Sequence, residues 1–398
     1  MESLRELYKI GSGPSSSHTL AVQRAMKLYM DEYPEVTRFE VDLHGSLSLT
    51  GKGHYTDHAI KMAVDPIECA VNFKLDWDYD YDSGLLIKGF KDDNELESWV
   101  VYSIGGGSIK VLNRDFDFQK EVYEFKDFSE IKKYVQDNRI SLSEFVYLHE
   151  PDIKPYLSEI LVAMNQAVHR GLNKEGQLLG RLNMPRVAKE LYENIVESDS
   201  KRQKLIAYAY ANMEENATLG QVVTAPTCGA SGIMASLMTY YTNDEPFEHD
   251  KLIDALAVAG IFGNIIKQNA TISGAQGGCQ AEVGVGCVMA AAAYATLHDY
   301  SLEEIEYACE IAMEHHLGLT CDPVGGYVII PCIERNAAAV LRAVDAVAMS
   351  KMLLKTKPNR VTFDQVVNTM NYTGKKIAIE LRETALGGLA QEIIIDEN

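Results

Sequence analysis

Residues 264–295 read NIIKQNATISGAQGGCQAEVGVGCVMAAAAYA, and residues 314–336 read EHHLGLTCDPVGGYVIIPCIERN. Three of their cysteines, Cys279, Cys321 and Cys332, stand in segments that contain Gly or Pro. Gly and Pro interrupt regular structure, and Gly lets backbone approach a bound group closely. This setting favours a metal or cluster site. Because no CxxC pair is present, buried cysteines that act as small hydrophobes remain the alternative interpretation.

The composition is that of a globular protein. The chain has 398 residues, which is enough for two domains with full cores. A net charge of −20 argues against nucleic acid and against an anionic membrane as partners. The most apolar run, residues 283–297, is too short to span a bilayer and is predicted to be a buried helix. The start MESLRELYKIG lacks the pattern of a secretion signal, and the seven cysteines have no paired spacing, so we expect a cytoplasmic protein with reduced thiols.

The first 150 residues mix helical and strand patterns. The spacing predicts helices within 1–12, at 20–33, from 58 to 64 and at 127–137, a strand at 36–43, and a hairpin at 99–112 around three glycines. Four acids alternate with aromatic residues: Asp76, Asp78, Asp80 and Asp82. A calcium loop of the EF-hand type needs Gly at its sixth position and Glu at its twelfth, and both are missing. The alternation is therefore interpreted as the solvated face of a strand.

Beyond residue 150, helical periodicity dominates the chain. Helices are predicted at 156–172, 184–197, 200–215, 230–242, 250–267, 281–297, 302–315, 333–354 and 363–381. The predicted fold class is an α+β N-terminal domain, residues 1–150, followed by an all-α C-terminal domain, residues 151–398.

Two polar loops in the N-terminal part carry candidate functional residues. GPSSSHT, at 13–19, places Ser15, Ser16, Ser17 and His18 just before a predicted helix. A helix N-terminus favours anions, and a capping role accounts for one hydroxyl but not for all of these groups. GKGHYTD, at 51–57, places His54 in a glycine-rich loop. An imidazole suits general-base chemistry near neutral pH, although a lone histidine is more often structural.

Further candidates lie in the C-terminal part. Lys267, Asn269 and Ser273 precede Cys279 and would orient a substrate or donate to a cluster. Arg335 would hold a carboxylate with two hydrogen bonds, or form an ion pair on a helix surface. TAPTCGASG, at 224–232, has amides suited to a carboxylate, with a tight helix contact as the alternative. The other cysteines, Cys69, Cys228, Cys287 and Cys309, are predicted to be structural.

Several long motifs resemble those of the iron–sulfur L-serine dehydratases. They are GPSSSHT, GSLSLTGKGHYTD, TAPTCGASGI, CQAEVGVGC, EHHLGLTCDPVGG and PCIERNAAA, in that family's order and across nearly the whole chain. The resemblance implies an N-terminal domain of the allosteric substrate-binding type and a helical catalytic domain. It implies a [4Fe-4S] cluster on Cys279, Cys321 and Cys332, and a homodimer. The C-terminal part, 373–390, resembles the family's last helix and glycine turn, and the tail has no cysteine to act as a further ligand.

The function that the resemblance implies is the conversion of L-serine to pyruvate and ammonia, with an open iron of the cluster as Lewis acid. The expected catalytic residues are His54, His18, Ser16 and Ser17. The expected substrate-binding residues are Ser15, Thr19, Lys267, Asn269, Ser273 and Arg335. His54 is the preferred base and His18 a substrate binder or proton relay, and the reverse order stays open. The alternative functions are an L-cysteine desulfidase and a non-enzymatic iron–sulfur redox sensor.

Overall fold

A six-stranded sheet forms the centre of the N-terminal part. The computed structural model describes residues 1–76, 81, 83–116 and 121–393. The strands are β1 (Ile10–Ser12), β2 (Arg38–Gly45), β3 (Glu68–Phe73), β4 (Ser83–Lys91), β5 (Asn94–Glu95), β6 (Trp99–Gly105), β7 (Ser108–Val111) and β8 (Gln221–Val223). The sheet order is β3-β2-β4-β6-β7, and β5 pairs with β4. β2 runs parallel to β3 and antiparallel to β4.

One face of this sheet is buried against helices of the same region. These are α1 (Ala21–Glu32), α2 (Ser46–Leu49) and α3 (Thr56–Val64). Along β2 the residues Phe39, Val41 and Leu43 alternate inward and are fully buried, as period-two patterning requires. The predicted helix at 20–33, the strand at 36–43 and the hairpin at 99–112 are confirmed. Of the four alternating aspartates predicted to form the solvated face of a strand, Asp78, Asp80 and Asp82 lie outside the described residues.

Helices build the rest of the described chain. They are α4 (Phe128–Asn138), α5 (Leu142–His149), α6 (Ile153–Leu172), α7 (Ala188–Glu193), α8 (Ser200–Ala217), α9 (Ser231–Asn243), α10 (His249–Asn269), α11 (Gly274–Gly277), α12 (Val283–Leu297), α13 (Leu302–Glu314), α14 (Cys332–Leu354), α15 (Phe363–Lys376) and α16 (Leu389–Glu392). The segment Cys279–Leu297 is long and apolar enough to cross a membrane by length and composition, but 83% of its window is buried inside the protein. It is the central helix of a packed core, which confirms the prediction of a buried helix.

Three predicted helices end or begin elsewhere. The helix predicted at 184–197 covers only Ala188–Glu193, because Pro185 pairs with Gln177 in an isolated bridge and Asn183 has a positive φ. The helix predicted at 363–381 ends at Lys376, after which the chain extends and makes one 3-10 turn. The expected helix within 1–12 is a single turn at Leu4–Glu6 followed by β1.

The N-terminal segment joins the two parts of the molecule. Leu4, Leu7 and Tyr8 are buried in the core of the helical part, and β1 pairs with β8. Residues 123–146 contribute to this same helical core, whereas the buried core of the sheet ends at Val111. The domain boundary near residue 150 stays a prediction. The pairing of β1 with β8 places the loop that follows β1, residues 13–19, against the helical part.

Candidate active site

The loop at residues 13–19 holds His18 in a fully buried position. The His18 Nε2 lies 3.1 Å from the Ser46 carbonyl oxygen and 2.9 Å from the Thr50 Oγ1. Its Nδ1 lies 3.1 Å from the Ser15 Oγ. The Asn216 side-chain amide, from α8, donates to the Pro14 carbonyl at 2.8 Å and anchors the loop. Both ring nitrogens of His18 therefore have hydrogen-bond partners, and burial together with the neighbouring imidazole holds its pKa well below the usual range.

His54 stacks on His18 with ring centroids 4.0 Å apart. Its Nδ1 donates to the Thr50 carbonyl oxygen at 2.9 Å. Since a carbonyl oxygen only accepts, this contact puts the proton on Nδ1 and leaves a lone pair on Nε2. Within the described residues the Nε2 makes no hydrogen bond. Burial lowers the pKa of His54 to about 4, so the ring is neutral at physiological pH and able to accept a proton.

Glu383 lies beside both imidazoles and was not anticipated from the sequence. Its Oε1 is 3.8 Å from the His18 Nδ1 and 3.7 Å from the His54 Nε2, both too long for hydrogen bonds. The three side chains have ligand atoms within 4.8 Å of one another. Burial and the charge of Cys279 raise the pKa of Glu383 to about 8.

Backbone contacts hold the Glu383 segment against Cys321. The Cys321 amide donates to the Leu381 carbonyl at 2.8 Å, and the Glu383 amide donates to the Cys321 carbonyl at 2.7 Å. The Ser46 hydroxyl donates to the Glu383 carbonyl oxygen at 2.9 Å. Glu383 therefore connects the histidine loops of the N-terminal part to a cysteine of the helical part.

The three predicted ligand cysteines come together on this side of the helical core. Cys279 begins a 3-10 turn before α12, Cys321 lies in the turn after α13, and Cys332 is the first residue of α14. A hydrogen bond with the Cys321 thiol and the charge of the Arg335 guanidinium lower the pKa of Cys279 to about 6. The hydrogen bond with Cys279, together with burial and the Cys279 charge, raises the pKa of Cys321, and burial raises that of Cys332. Cys279 therefore favours the thiolate, whereas Cys321 and Cys332 favour the thiol.

Arg335 is engaged by groups around these thiols. Its Nη1 donates to the Thr320 carbonyl at 2.6 Å, its Nη2 donates to the Asp322 Oδ1 at 3.2 Å, and the guanidinium also hydrogen bonds to Cys279. The predicted carboxylate clamp therefore lies next to the cysteines, with its donors directed at residues of the protein. Its main electrostatic effect in the structure is on Cys279.

The remaining cysteines lie in packed surroundings. The Cys287 thiol donates to the Ala339 carbonyl at 3.3 Å, and the Cys309 thiol donates to the Val288 carbonyl at 3.8 Å. Burial raises the pKa of both thiols. Cys69 lies on β3, where burial raises its pKa to about 11. Cys228 is fully buried in a small apolar cluster, close enough to Glu282 for that charge to raise its pKa further.

Two predicted substrate residues have partners away from the cysteines. The Lys267 Nζ pairs with the Glu2 carboxylate at 2.5 Å and donates to the Ser108 Oγ at 3.3 Å. The Asn269 side-chain amide donates to the Lys126 carbonyl at 2.8 Å. Through these contacts α10 binds the N-terminal segment and the residues just before α4.

The predicted serine and threonine residues fall into two groups. All five residues are buried, and within the described residues the hydroxyls of Ser16 and Ser17 make no hydrogen bond. Ser273 immediately precedes α11, beside Gly274. The Ser15 hydroxyl bonds His18, and the Thr19 hydroxyl lies 2.6 Å from the Ser15 carbonyl. Ser15 and Thr19 therefore shape the loop, whereas Ser16 and Ser17 keep free donors.

Glu282 is a second carboxylate that was not anticipated. A Cβ placed on Gly274 would lie 2.8 Å from the Glu282 Oε2 and 3.3 Å from the Glu383 Oε2, so the two carboxylates flank the same glycine. Burial and the charge of Glu383 hold the pKa of Glu282 well above its usual range. The sequence offered a signal for both acids, because each lies in or next to a quoted motif. Glu282 follows Cys279 by three residues in CQAE, and Glu383 precedes the last glycine turn.

Comparisons with known proteins show the family to which the chain belongs. The family model described as "Serine dehydratase alpha chain" matches residues 82–390, and "Serine dehydratase beta chain" matches residues 3–71. The chain belongs to the serine dehydratase family. It is 38% identical to L-serine dehydratase 2 of Escherichia coli (strain K12) over 99% of both chains, and 38% identical to L-serine dehydratase 1 of the same strain over 100% of both. An L-serine dehydratase of Streptomyces coelicolor is 35% identical over 98% of this chain and 99% of its own.

Membership of the serine dehydratase family confirms the resemblance predicted from the motifs, and the family is one of lyases. The predicted fold class is confirmed as well, with sheets in the N-terminal part and helices after it. The cluster and the roles of individual site residues stay predictions.

Proposed function

We propose that the protein is an L-serine dehydratase that converts L-serine to pyruvate and ammonia at a [4Fe-4S] cluster held by Cys279, Cys321 and Cys332. The observation that carries the proposal is the buried His54, whose unpartnered Nε2 lies 3.7 Å from Glu383, on a segment bonded to Cys321. A proton acceptor and a set of thiols are thus parts of one site. The names of the full-length relatives support L-serine as the substrate.

The residues at the cysteine site fit an iron–sulfur cluster. Such clusters are held by cysteine thiolates, and the hydrogen bond from Cys321 and the charge of Arg335 already favour the thiolate of Cys279. With three cysteine ligands, the cluster would supply an iron without a protein thiolate, a Lewis acid that assists departure of the substrate hydroxyl. Arg335 would remain beside the sulfur of Cys279 and offset its negative charge.

His54 is assigned as the base. Its Nε2 carries a lone pair and no internal hydrogen bond, whereas both nitrogens of His18 are engaged. The Nε2 would accept the Cα proton of the substrate. His18, held by Ser15 and by the Ser46 carbonyl, stacks on His54 and fixes the plane of its ring. Loss of the Cα proton and of the hydroxyl as water leaves an enamine, whose imine form hydrolyses to pyruvate and ammonia.

The substrate carboxylate is assigned to the loop before α1. Ser16 and Ser17 are buried residues whose hydroxyls have no internal hydrogen-bond partner among the described residues, and a hydroxyl donates readily to a carboxylate. Contacts with the substrate carboxylate and with its hydroxyl would hold the Cα atom in place relative to His54. This lowers the entropic part of the activation barrier. The cytoplasmic location and the homodimer complete the proposal.

The direct test compares two substrates on anaerobically purified protein. L-serine should yield pyruvate and ammonia in equal amounts, and L-cysteine should release little sulfide. Cys69→Ala is the matched control for substitutions of Cys279, Cys321 and Cys332. Sulfide release from L-cysteine without pyruvate from L-serine would instead identify a desulfidase. Inactivity toward both amino acids, with the cluster fully loaded, would point to the redox sensor.

A further inference from the structure

Two carboxyl groups flank Gly274 without a cationic partner, and one of them, Glu383, lies beside the base. The Oε2 atoms of Glu282 and Glu383 lie 2.8 and 3.3 Å from the Cβ position of Gly274. Within the described residues neither acid pairs with a lysine or an arginine, and Arg335 is directed at Thr320 and Asp322. Burial without a counter-charge disfavours the ionised form of a carboxyl group, and a bound cation favours it. The pair therefore favours binding of a cation between the two acids.

The proposed base lies beside one of these carboxyl groups. The His54 ring is 1% exposed, its Nε2 has no hydrogen-bond partner among the described residues, and it lies 3.7 Å from the Glu383 Oε1. Its lone pair is therefore available to a donor or a proton from a bound molecule. Glu383 thus lies between two neighbours, with its Oε1 near His54 and its Oε2 near Glu282 at Gly274, and a cation with several N–H donors suits these carboxyl groups.

We propose that Glu282 and Glu383 bind the α-ammonium group of the amino-acid substrate. An ammonium group offers three donors, no acceptor and one positive charge, which suits the two carboxyl groups and leaves the lone pair of the His54 Nε2 for the Cα proton. The assignment rests on the proposed function and adds its substrate-recognition element. Because the ammonium nitrogen is bonded directly to Cα, an ammonium held here puts the Cα proton next to the His54 Nε2.

The same contacts define a specificity. A substrate that keeps the carboxylate and the hydroxyl but lacks the amino group would leave both acids without a counter-charge. Sites that discriminate in this way reject the analogue strongly, since their buried polar groups lose their partners. The geometry therefore selects 2-amino acids over the corresponding hydroxy acids.

The experiment compares the anaerobic wild-type holoenzyme with the variants Glu383→Gln and Glu282→Gln. Glu380→Gln is the control, because Glu380 is an exposed acid on the same segment as Glu383. Each amide is isosteric with its acid. We expect each site variant to raise the KM for L-serine about 10- to 100-fold, the usual worth of a charge-assisted hydrogen bond. The inhibition constant of 3-hydroxypropionate, which is serine without its amino group, should stay the same or fall. Glu380→Gln should change neither constant.

A binding measurement separates this inference from the proposed activity. Calorimetry should show that the wild-type protein binds L-alanine at least tenfold more tightly than propionate, and that Glu383→Gln loses this preference. If the preference holds in a protein that forms no pyruvate, the ammonium site stands and the proposed function falls. If pyruvate forms but both site variants keep the wild-type KM and the preference for L-alanine, the ammonium site is wrong.

Discussion

His54 Nε2 lies 3.7 Å from Glu383 Oε1, although the two residues come from opposite ends of the chain. The contact depends on two sets of backbone hydrogen bonds. Thr50 orients the imidazole through its carbonyl, and Cys321 pairs with the residues around Glu383. A base from the N-terminal part and a carboxylate from the C-terminal segment therefore meet beside the proposed cluster, and each is held by its own backbone.

Replacement of His54 tests its assignment as the base. His54→Gln should lower kcat about 10²- to 10⁴-fold, the usual contribution of a general base. The iron–sulfur absorption should be unchanged, since His54 is not among the proposed ligands. Exchange of the Cα proton of L-serine with solvent deuterium, followed by NMR, should slow by a similar factor.

His18→Gln supplies the comparison. Because His18 acts through its stacking on His54, the loss in kcat should be smaller than for His54→Gln. If His18→Gln abolishes Cα-proton exchange while His54→Gln leaves it intact, the order of the two histidines is reversed.

Gly53→Ala tests the approach of the histidine loop to the helical part. A Cβ on Gly53 would lie 2.5 Å from the Gly326 carbonyl carbon and oxygen, and 2.8 Å from the Gly325 oxygen. These are backbone atoms, so the loop carrying His54 has to move away from the turn that follows Cys321. We expect kcat/KM to fall at least tenfold, since small misplacements of a catalytic group are costly.

Lys52→Ala is the matched control for Gly53→Ala, because the Lys52 side chain is 72% exposed in the same loop. It should retain wild-type kcat/KM. Full activity in Gly53→Ala would show that the close contact between the two loops is not needed for turnover.

The burial of His54 also makes stability depend on pH. Its folded pKa of about 4 lies below the unfolded value of about 6.5, so the unfolded chain binds the additional proton. Its stabilising contribution is present above pH 6.5 and is lost as pH falls toward 4, by about 1.4 kcal/mol for each pH unit. Urea unfolding between pH 7 and 5 should show a shallower pH dependence for His54→Gln than for the wild type. An equal slope in both proteins would mean that the imidazole is not buried in its neutral form.

Much of the fold could be predicted because it follows from periodicity. Period-two burial along β2 and the apolar stripe of α1 were visible in the sequence, and both elements formed as expected. The helix predicted at 184–197 was too long, because Pro185 joins a bridge to Gln177 that periodicity cannot reveal. Local pattern therefore predicted the elements better than it predicted where they end.

The site could be predicted only in part. The motifs pointed to His18, His54 and the three cysteines, but Lys267 and Asn269, chosen for being near Cys279 in sequence, bind Glu2 and Lys126 instead. Glu383 lies far from the histidines along the chain, and only the pairing of its segment with Cys321 brings it to them. Long-range backbone pairing of this kind leaves no local signal in the sequence.

Single cysteine substitutions test the ligand set. Cys279→Ala, Cys321→Ala and Cys332→Ala should each abolish the visible absorption of the cluster and the formation of pyruvate. Cys69→Ala and Cys309→Ala should retain both, because Cys69 lies on the sheet and the Cys309 thiol donates to the Val288 carbonyl. A full cluster in any of the first three variants would exclude that residue as a ligand.

The most direct test of the account is the iron and acid-labile sulfide content of the anaerobically purified protein, measured together with its rate of pyruvate formation from L-serine. We predict about four irons and four sulfides per chain, the content of a [4Fe-4S] cluster. Exposure to air should remove iron and activity in parallel, and ferrous iron with a thiol reductant should restore both. Sustained pyruvate formation by a protein that contains neither iron nor sulfide would contradict the account.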